Sequence, residues 1–214
     1  MARPVIIALL GVDGSGKSTQ ARALARRLSE RGVPATYFEN AGGRPLWNRL
    51  AHRLGRRDGG HLFGRRLYPA LEATVRWLAV ARAVAGIRLT GRVGVMDRGT
   101  WCQYVIMRAR GDRGVRLVRT AYGLFPRPDL VCFLAVSPAL AQRRVHERGI
   151  DTEELGHLAA LDAAYRALPE FADFRVVDGE ADPATVAAAL DRLVRPWSAA
   201  GAEIGRDRAA RRSS

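Results

Sequence analysis

Lys17 is the one lysine in a chain whose other 34 basic side chains are all arginine. It lies in the segment Gly11-Val12-Asp13-Gly14-Ser15-Gly16-Lys17-Ser18-Thr19, where Gly11, Gly16, Lys17 and Ser18 fit the spacing GxxxxGK[ST]. Each residue type there answers a need of polyphosphate binding. The glycines let backbone N–H groups converge on phosphate oxygens without a Cβ in the way. The lysine ammonium is a compact charge that reaches between β- and γ-phosphates, where a guanidinium fork is too broad. The Ser18 hydroxyl suits Mg²⁺. The segment points to a nucleoside triphosphate, with ATP and Mg²⁺ as the expected cofactors and residues 11–19 as their holders.

Asp97-Arg98 is the second candidate pair. An aspartate at a strand end can orient the shell of a metal ion or an acceptor, and an arginine beside it can bind a phosphate. Two rival classes drop out here. A guanine site of the Asn-Lys-x-Asp type needs a second lysine, which the chain lacks, and a translocating ATPase ends this strand in Asp-Glu. A third set is Arg143, Arg144 and Arg148, of which Arg144 and Arg148 are four apart and share a helix face. They could clamp a transferred phosphoryl group when a lid closes.

The elements that must position these residues follow from hydrophobic patterning. The continuous apolar run at 5–10, ahead of the glycine segment, reads as a strand buried on both faces, and 20–31 has helical spacing behind it. Further strands are expected at 35–38, 93–96, 130–136 and 174–177. Helices are expected at 42–57, 66–90, 100–124, 138–148, 152–168 and 183–194. Strands alternating with helices imply a parallel five-stranded sheet with helices on both faces, a three-layer α/β fold. Residues 1–196 form one domain in this reading, with a lid at about 143–153. Residues 197–214 form a basic tail expected to be disordered, because it lacks an apolar period.

Composition bounds the rest. The formal charge of +14 admits nucleic-acid binding, attraction of phosphorylated small molecules, or a genome that writes arginine for lysine. The near-absence of lysine favours the last as background, and no aromatic-rich basic stretch argues for nucleic acid. Cys102 and Cys132 are too few for a disulfide scaffold or metal site. The N-terminus has no signal-peptide pattern, and Arg76 and Arg82 interrupt the apolar stretch at 71–87, so a cytoplasmic protein without a membrane span is expected.

Five segments in order resemble the thymidylate kinase family, a group of P-loop nucleoside-monophosphate kinases, over about residues 4–195. They are the glycine segment with Asp13; 39–46, "ENAGGRPL", similar to Arg-Glu-Pro-Gly-Gly-Thr-Pro-Leu; and 71–77, "LEATVRW", similar to Leu-Phe-x-x-x-Arg-Trp. The others are 97–104, "DRGTWCQY", similar to Asp-Arg-Tyr-x-x-Ser, and 128–149 with the start of the arginine-bearing lid. The resemblance implies the fold of that family, a phosphate acceptor such as dTMP and a homodimer, with the long helix 66–90 as the interface. It implies that Lys17, Asp97, Arg98, Arg144 and Arg148 are catalytic, that Arg143 joins the nucleotide site and that Ser18 and Asp97 hold Mg²⁺. Asp13, Asn40, Glu72, Arg76, Arg98, Gln103, Tyr104 and Tyr165 would form the acceptor site. Where some members carry a catalytic arginine in the loop, this chain has Gly14, which leaves the transition-state charge to the lid.

The acceptor side departs from the family pattern. Glu72 stands where the family has a phenylalanine that stacks on the base, and a carboxylate there could pair with Arg76 and withdraw it from the base. Gly99, Cys102 and Asn40 replace a tyrosine, a serine and a glutamate. The reading at this point is ATP-dependent phosphorylation of a nucleoside monophosphate, dTMP first. Two alternatives stay open: a kinase of another nucleotide, nucleoside or phosphorylated metabolite, and a weakly catalytic nucleotide-binding protein associated with nucleic acid.

Overall fold

The computed structural model describes residues 4–149 and 153–212. Residues 150–152 of the expected lid and the last two of the tail lie outside the described residues. Five strands, β1 (Ile6–Leu10), β2 (Ala35–Glu39), β3 (Val93–Asp97), β4 (Leu130–Ala135) and β5 (Arg175–Asp178), form one sheet in the order β2-β3-β1-β4-β5. All four pairings are parallel, with Ile7 opposite Val95 on one side of β1 and Leu9 opposite Cys132 on the other. This is the doubly covered parallel α/β fold that the alternation of elements predicts.

Burial explains the register. Ile7 and Leu9 point to one face and meet Leu24 and Leu28 of α1 (Lys17–Glu30) and Leu190 and Val194 of α8 (Pro183–Arg212). Ile6 and Ala8 point to the other and meet Val80 and Ile87 of α3 (Gly59–Thr90). On that second face Leu10 and Phe133 pack with Val105 of α4 (Trp101–Ala109) and with Leu158 and Leu161 of α7 (Leu155–Arg166). A one-residue slip of β1 would turn each set to the wrong layer, so two apolar faces fix one register.

The remaining helices are α2 (Arg44–Arg53), α5 (Val115–Tyr122) and α6 (Pro138–Glu147). After β1 the chain builds to one side with β2 and β3 and then to the other with β4 and β5, so the topological switch lies at the carboxyl end of β1. Open α/β sheets collect ligands there. Among the described residues no helix is long and apolar enough to cross a membrane.

Three boundaries differ from expectation. The helix expected at 66–90 begins at Gly59, and its helical dihedrals are broken once, at Gly64 with φ 73° and ψ 168°. The helix expected at 100–124 divides into α4 and α5, because Gly111 and Gly114 adopt φ of 68° and 83°. Residues 197–212, expected to be disordered, continue α8 as helix. Apolar periodicity is absent there, but alanine and arginine are strong helix formers on their own account.

Candidate functional site

Loop 11–16 leaves β1 and enters α1 through a chain of unusual dihedrals: Gly11, Gly14 and Gly16 have φ of 149°, 89° and 82°. Gly16 is the N-cap of α1 and brings no side-chain hydrogen bond, and no acidic residue occupies the first turn. The N–H groups and positive dipole end of α1 are therefore open to an anion. Gly14 packs on α6, where a Cβ would overlap the Ala141 carbonyl oxygen. This is the physical reason that no arginine can stand at position 14.

Lys17 is 3% exposed and donates from Nζ to the Val12 carbonyl at 3.0 Å and to Asp13 Oδ1 at 2.9 Å. The same carboxylate oxygen accepts from Arg98 Nη2 at 2.6 Å. One anion thus holds two cations. Burial pushes the Asp13 carboxyl up, but Lys17 and Arg98 outweigh it and hold the group well below its ordinary value near 3.8. Burial and the Arg98 charge push the Lys17 ammonium down from 10.5. Burial opposes the charge of Arg98, yet its two acidic neighbours, Asp13 and Asp97, help to raise its pKa.

Arg98 has φ 71°, the one non-glycine residue with positive φ among the described residues. Such a backbone costs about 1–3 kcal/mol and persists only where the surroundings over-determine it. Here the Arg98 N–H donates to the Leu9 carbonyl at 3.1 Å, and Asn40 Nδ2 donates to the Arg98 carbonyl at 2.6 Å. Asn40 is fully buried and also donates its backbone N–H to Asp97 at 3.1 Å. It therefore braces Arg98 from behind the cavity wall, while its Oδ1 is buried without a partner. Beside it, Tyr37 donates to Asp97 Oδ2 at 3.1 Å, while Asp97 Oδ1 is buried without a partner. Burial and the Asp97 charge push the Tyr37 phenol up to about 12, so it stays a donor at neutral pH.

These groups open into a cavity of about 270 Å³. The loop, Ser18, Asp97 and Arg98 line part of it; Glu72 and Arg76 of α3, Ile106 and Arg110 at the end of α4, and Leu161 and Tyr165 of α7 are among the residues on the other walls. No cluster of three metal-ligating side chains exists among the described residues. The orphaned Asp97 oxygen and the Ser18 hydroxyl do share this cavity, and they suit a hard cation that takes its other oxygens from phosphate and water.

Of the two arrangements open to Glu72 and Arg76, the ion pair between them does not form. Glu72 Oε2 accepts from Arg110 Nη1 at 2.7 Å. Arg76 is 5% exposed, with Nε and Nη1 buried and unpartnered. Gly42 of the loop after β2 lies so close that a Cβ there would stand 2.6 Å from Arg76 Nη2, so the guanidinium rests against backbone at this point. Tyr165 lies on the wall and its hydroxyl donates to the Cys102 sulfur at 3.0 Å. Gln103 is not on the cavity wall; it is buried behind it with both amide atoms unpartnered, on the α4 face that also carries Ile106 and Arg110.

Other expectations are corrected. Tyr104 does not line the cavity; its ring belongs to the second-face core, with the Arg119 guanidinium 5.8 Å from its centre. Arg144 donates to the Gly179 carbonyl at 2.8 Å and so faces the turn after β5. Arg143, largely exposed, lines a separate cleft of about 1350 Å³. Of the three lid arginines, only Arg148 reaches the wall of the smaller cavity. Arg110 and His157 also line it and escaped the sequence reading. Arg110 lies seven residues beyond Gln103, two turns along one face, a spacing that could have found it; nothing in the local pattern marks His157.

The sequence profile described as thymidylate kinase matches residues 10–182. A thymidylate kinase of Pseudomonas syringae pv. tomato is 32% identical, over 89% of this chain and 94% of that protein. One of Symbiobacterium thermophilum is 30% identical, over 89% of this chain and 92% of its own. One of Xylella fastidiosa strain 9a5c is 28% identical, over 89% and 90% respectively.

Proposed function

This chain belongs to the thymidylate kinase family, and from that premise we propose that it transfers the γ-phosphoryl group of ATP to dTMP, giving ADP and dTDP. An oxygen of the dTMP phosphate attacks the γ-phosphorus. A new P–O bond forms as the bond to the β–γ bridging oxygen breaks, and ADP leaves with the electron pair. The protein contributes positioning and charge neutralisation and no covalent intermediate.

The loop N–H groups and Lys17 hold the β- and γ-phosphates. Ser18 and Asp97 would hold Mg²⁺, which when bound spreads the charge of those phosphates. Arg98, fixed by its left-handed backbone and by Asp13, takes the acceptor phosphate. Arg148 brings the lid's charge to the transferred group. Arg76 reads the base, and Tyr165 packs beside it.

Arg76 carries this reading. A buried guanidinium with two unpartnered nitrogens is a costly arrangement unless a ligand completes it. Guanidinium only donates, so it selects a base that presents a carbonyl oxygen, as thymine does. Two copies pair through α3, and the protein works in the cytoplasm, where Cys102 and Cys132 remain free thiols.

Turnover with a panel of nucleotides tests the assignment. ADP formation with ATP and Mg²⁺ is expected to be fastest with dTMP. Turnover with another acceptor and none with dTMP would overturn it.

A further inference from the structure

The acceptor cavity is bounded on one side by an ion pair. Glu72, with 5% of its side chain exposed, holds Arg110 through a single contact, Nη1 to Oε2 at 2.7 Å. The Arg110 side chain is 26% exposed, so part of its surface is open beyond that contact. Arg110 lies on the wall of the small cavity and also on that of the 1350 Å³ cleft, so its side chain is part of the partition between them. The other side chains from α3, α4 and α7 on the small cavity's wall are aliphatic Ile106 and Leu161, the rings of His157 and Tyr165, and Arg76 with two unpartnered nitrogens.

A nucleobase entering this space needs a flat surface to cover its π-face, and arginine guanidinium planes serve for that purpose. We propose that Arg110 is a specificity-determining residue whose guanidinium stacks on the acceptor's base and closes the acceptor cavity against the larger cleft. Glu72 is the positioning residue that fixes the plane. This rests on the acceptor reading given above.

A buried carboxylate in an acceptor pocket would otherwise repel an anionic nucleotide. Paired with Arg110 it presents no net charge, and the pair offers a plane at a place where neither an isolated glutamate nor a lysine could. The uncharged ring of a pyrimidine monophosphate fits such a wall, with Arg76 free to reach its edge.

The test is steady-state kinetics of the full chain with ATP and dTMP, alongside direct dTMP binding by calorimetry and a thermal melt of each variant. Arg110→Ala and Arg110→Lys are both expected to raise KM and Kd for dTMP by about tenfold or more, the scale of one lost stacking contact. The rise should exceed any fall in kcat and leave KM for ATP in place. Glu72→Gln should raise KM for dTMP by a smaller factor. Glu72→Gln with Arg110→Phe, which supplies a plane without charge, should restore much of the affinity. Wild-type KM in Arg110→Lys would overturn the inference, because charge alone would then suffice. A wild-type protein that neither binds nor phosphorylates dTMP would overturn the acceptor reading together with this one.

Discussion

Asp13 shares one carboxylate oxygen between buried Lys17 and half-buried Arg98, so its charge sets the electrostatic state of the phosphate loop. Its folded pKa lies well below the ordinary 3.8. A carboxyl depressed in this way contributes stability above its unfolded pKa and loses that contribution as the pH falls through the folded value. Asp13→Asn removes the carboxylate and leaves Lys17 and Arg98 facing each other. The stability difference between wild type and Asp13→Asn, measured by denaturant unfolding, should therefore be greatest above about pH 4 and shrink on further acidification. A difference independent of pH would refute it. The loop was legible in the sequence because its chemistry sits in nine consecutive residues. The partners of Asn40 were not, because a buried amide bracing a strained carbonyl leaves no periodic trace.

At the scale of elements, α3 does two jobs on two faces. Val80, Ala83 and Ile87 are buried against the sheet, and Glu72 and Arg76 line the cavity. Leu67, Leu78 and Leu89 are 51%, 57% and 80% exposed. They recur every eleven residues, about three helical turns, and so form one apolar stripe away from the core. A second copy of α3 covers this stripe in the proposed dimer. Leu78→Glu should convert the dimer to a monomer in light scattering while leaving the melting temperature of the monomer nearly intact. A monomeric wild type would dismiss the interface. Helix periodicity made α3 readable, but it could not show that Glu72 chooses Arg110 over Arg76. That choice depends on how α4 crosses α3, which no local pattern encodes.

For the whole molecule, the five-stranded parallel sheet follows from the alternation of apolar strands and amphipathic helices, and the structure matches that expectation in strand order, with one expected helix divided into α4 and α5. Structure and sequence pattern diverge where local propensity and tertiary packing give different answers. Tyr104 looked like a site residue and is core, because α4 turns that face inward. Arg144 shared a face with Arg148 on paper, yet the carbonyl of Gly179 claims it. The tail after Pro196 lacks an apolar period and is helical all the same.

A last consequence follows from the lone lysine, 3% exposed in the loop and depressed in pKa. Apart from the α-amino group, an amine-selective acylating reagent has a single lysine target in this polypeptide, and that target sits in the loop proposed to hold the triphosphate. Intact-protein mass spectrometry would therefore read site occupancy directly, as a mass increment that accumulates in buffer and is suppressed by ATP with Mg²⁺. Labelling at Lys17 that ATP fails to slow would place the nucleotide elsewhere. A composition that excludes lysine everywhere else has left the protein with a built-in footprinting probe in its glycine-rich loop.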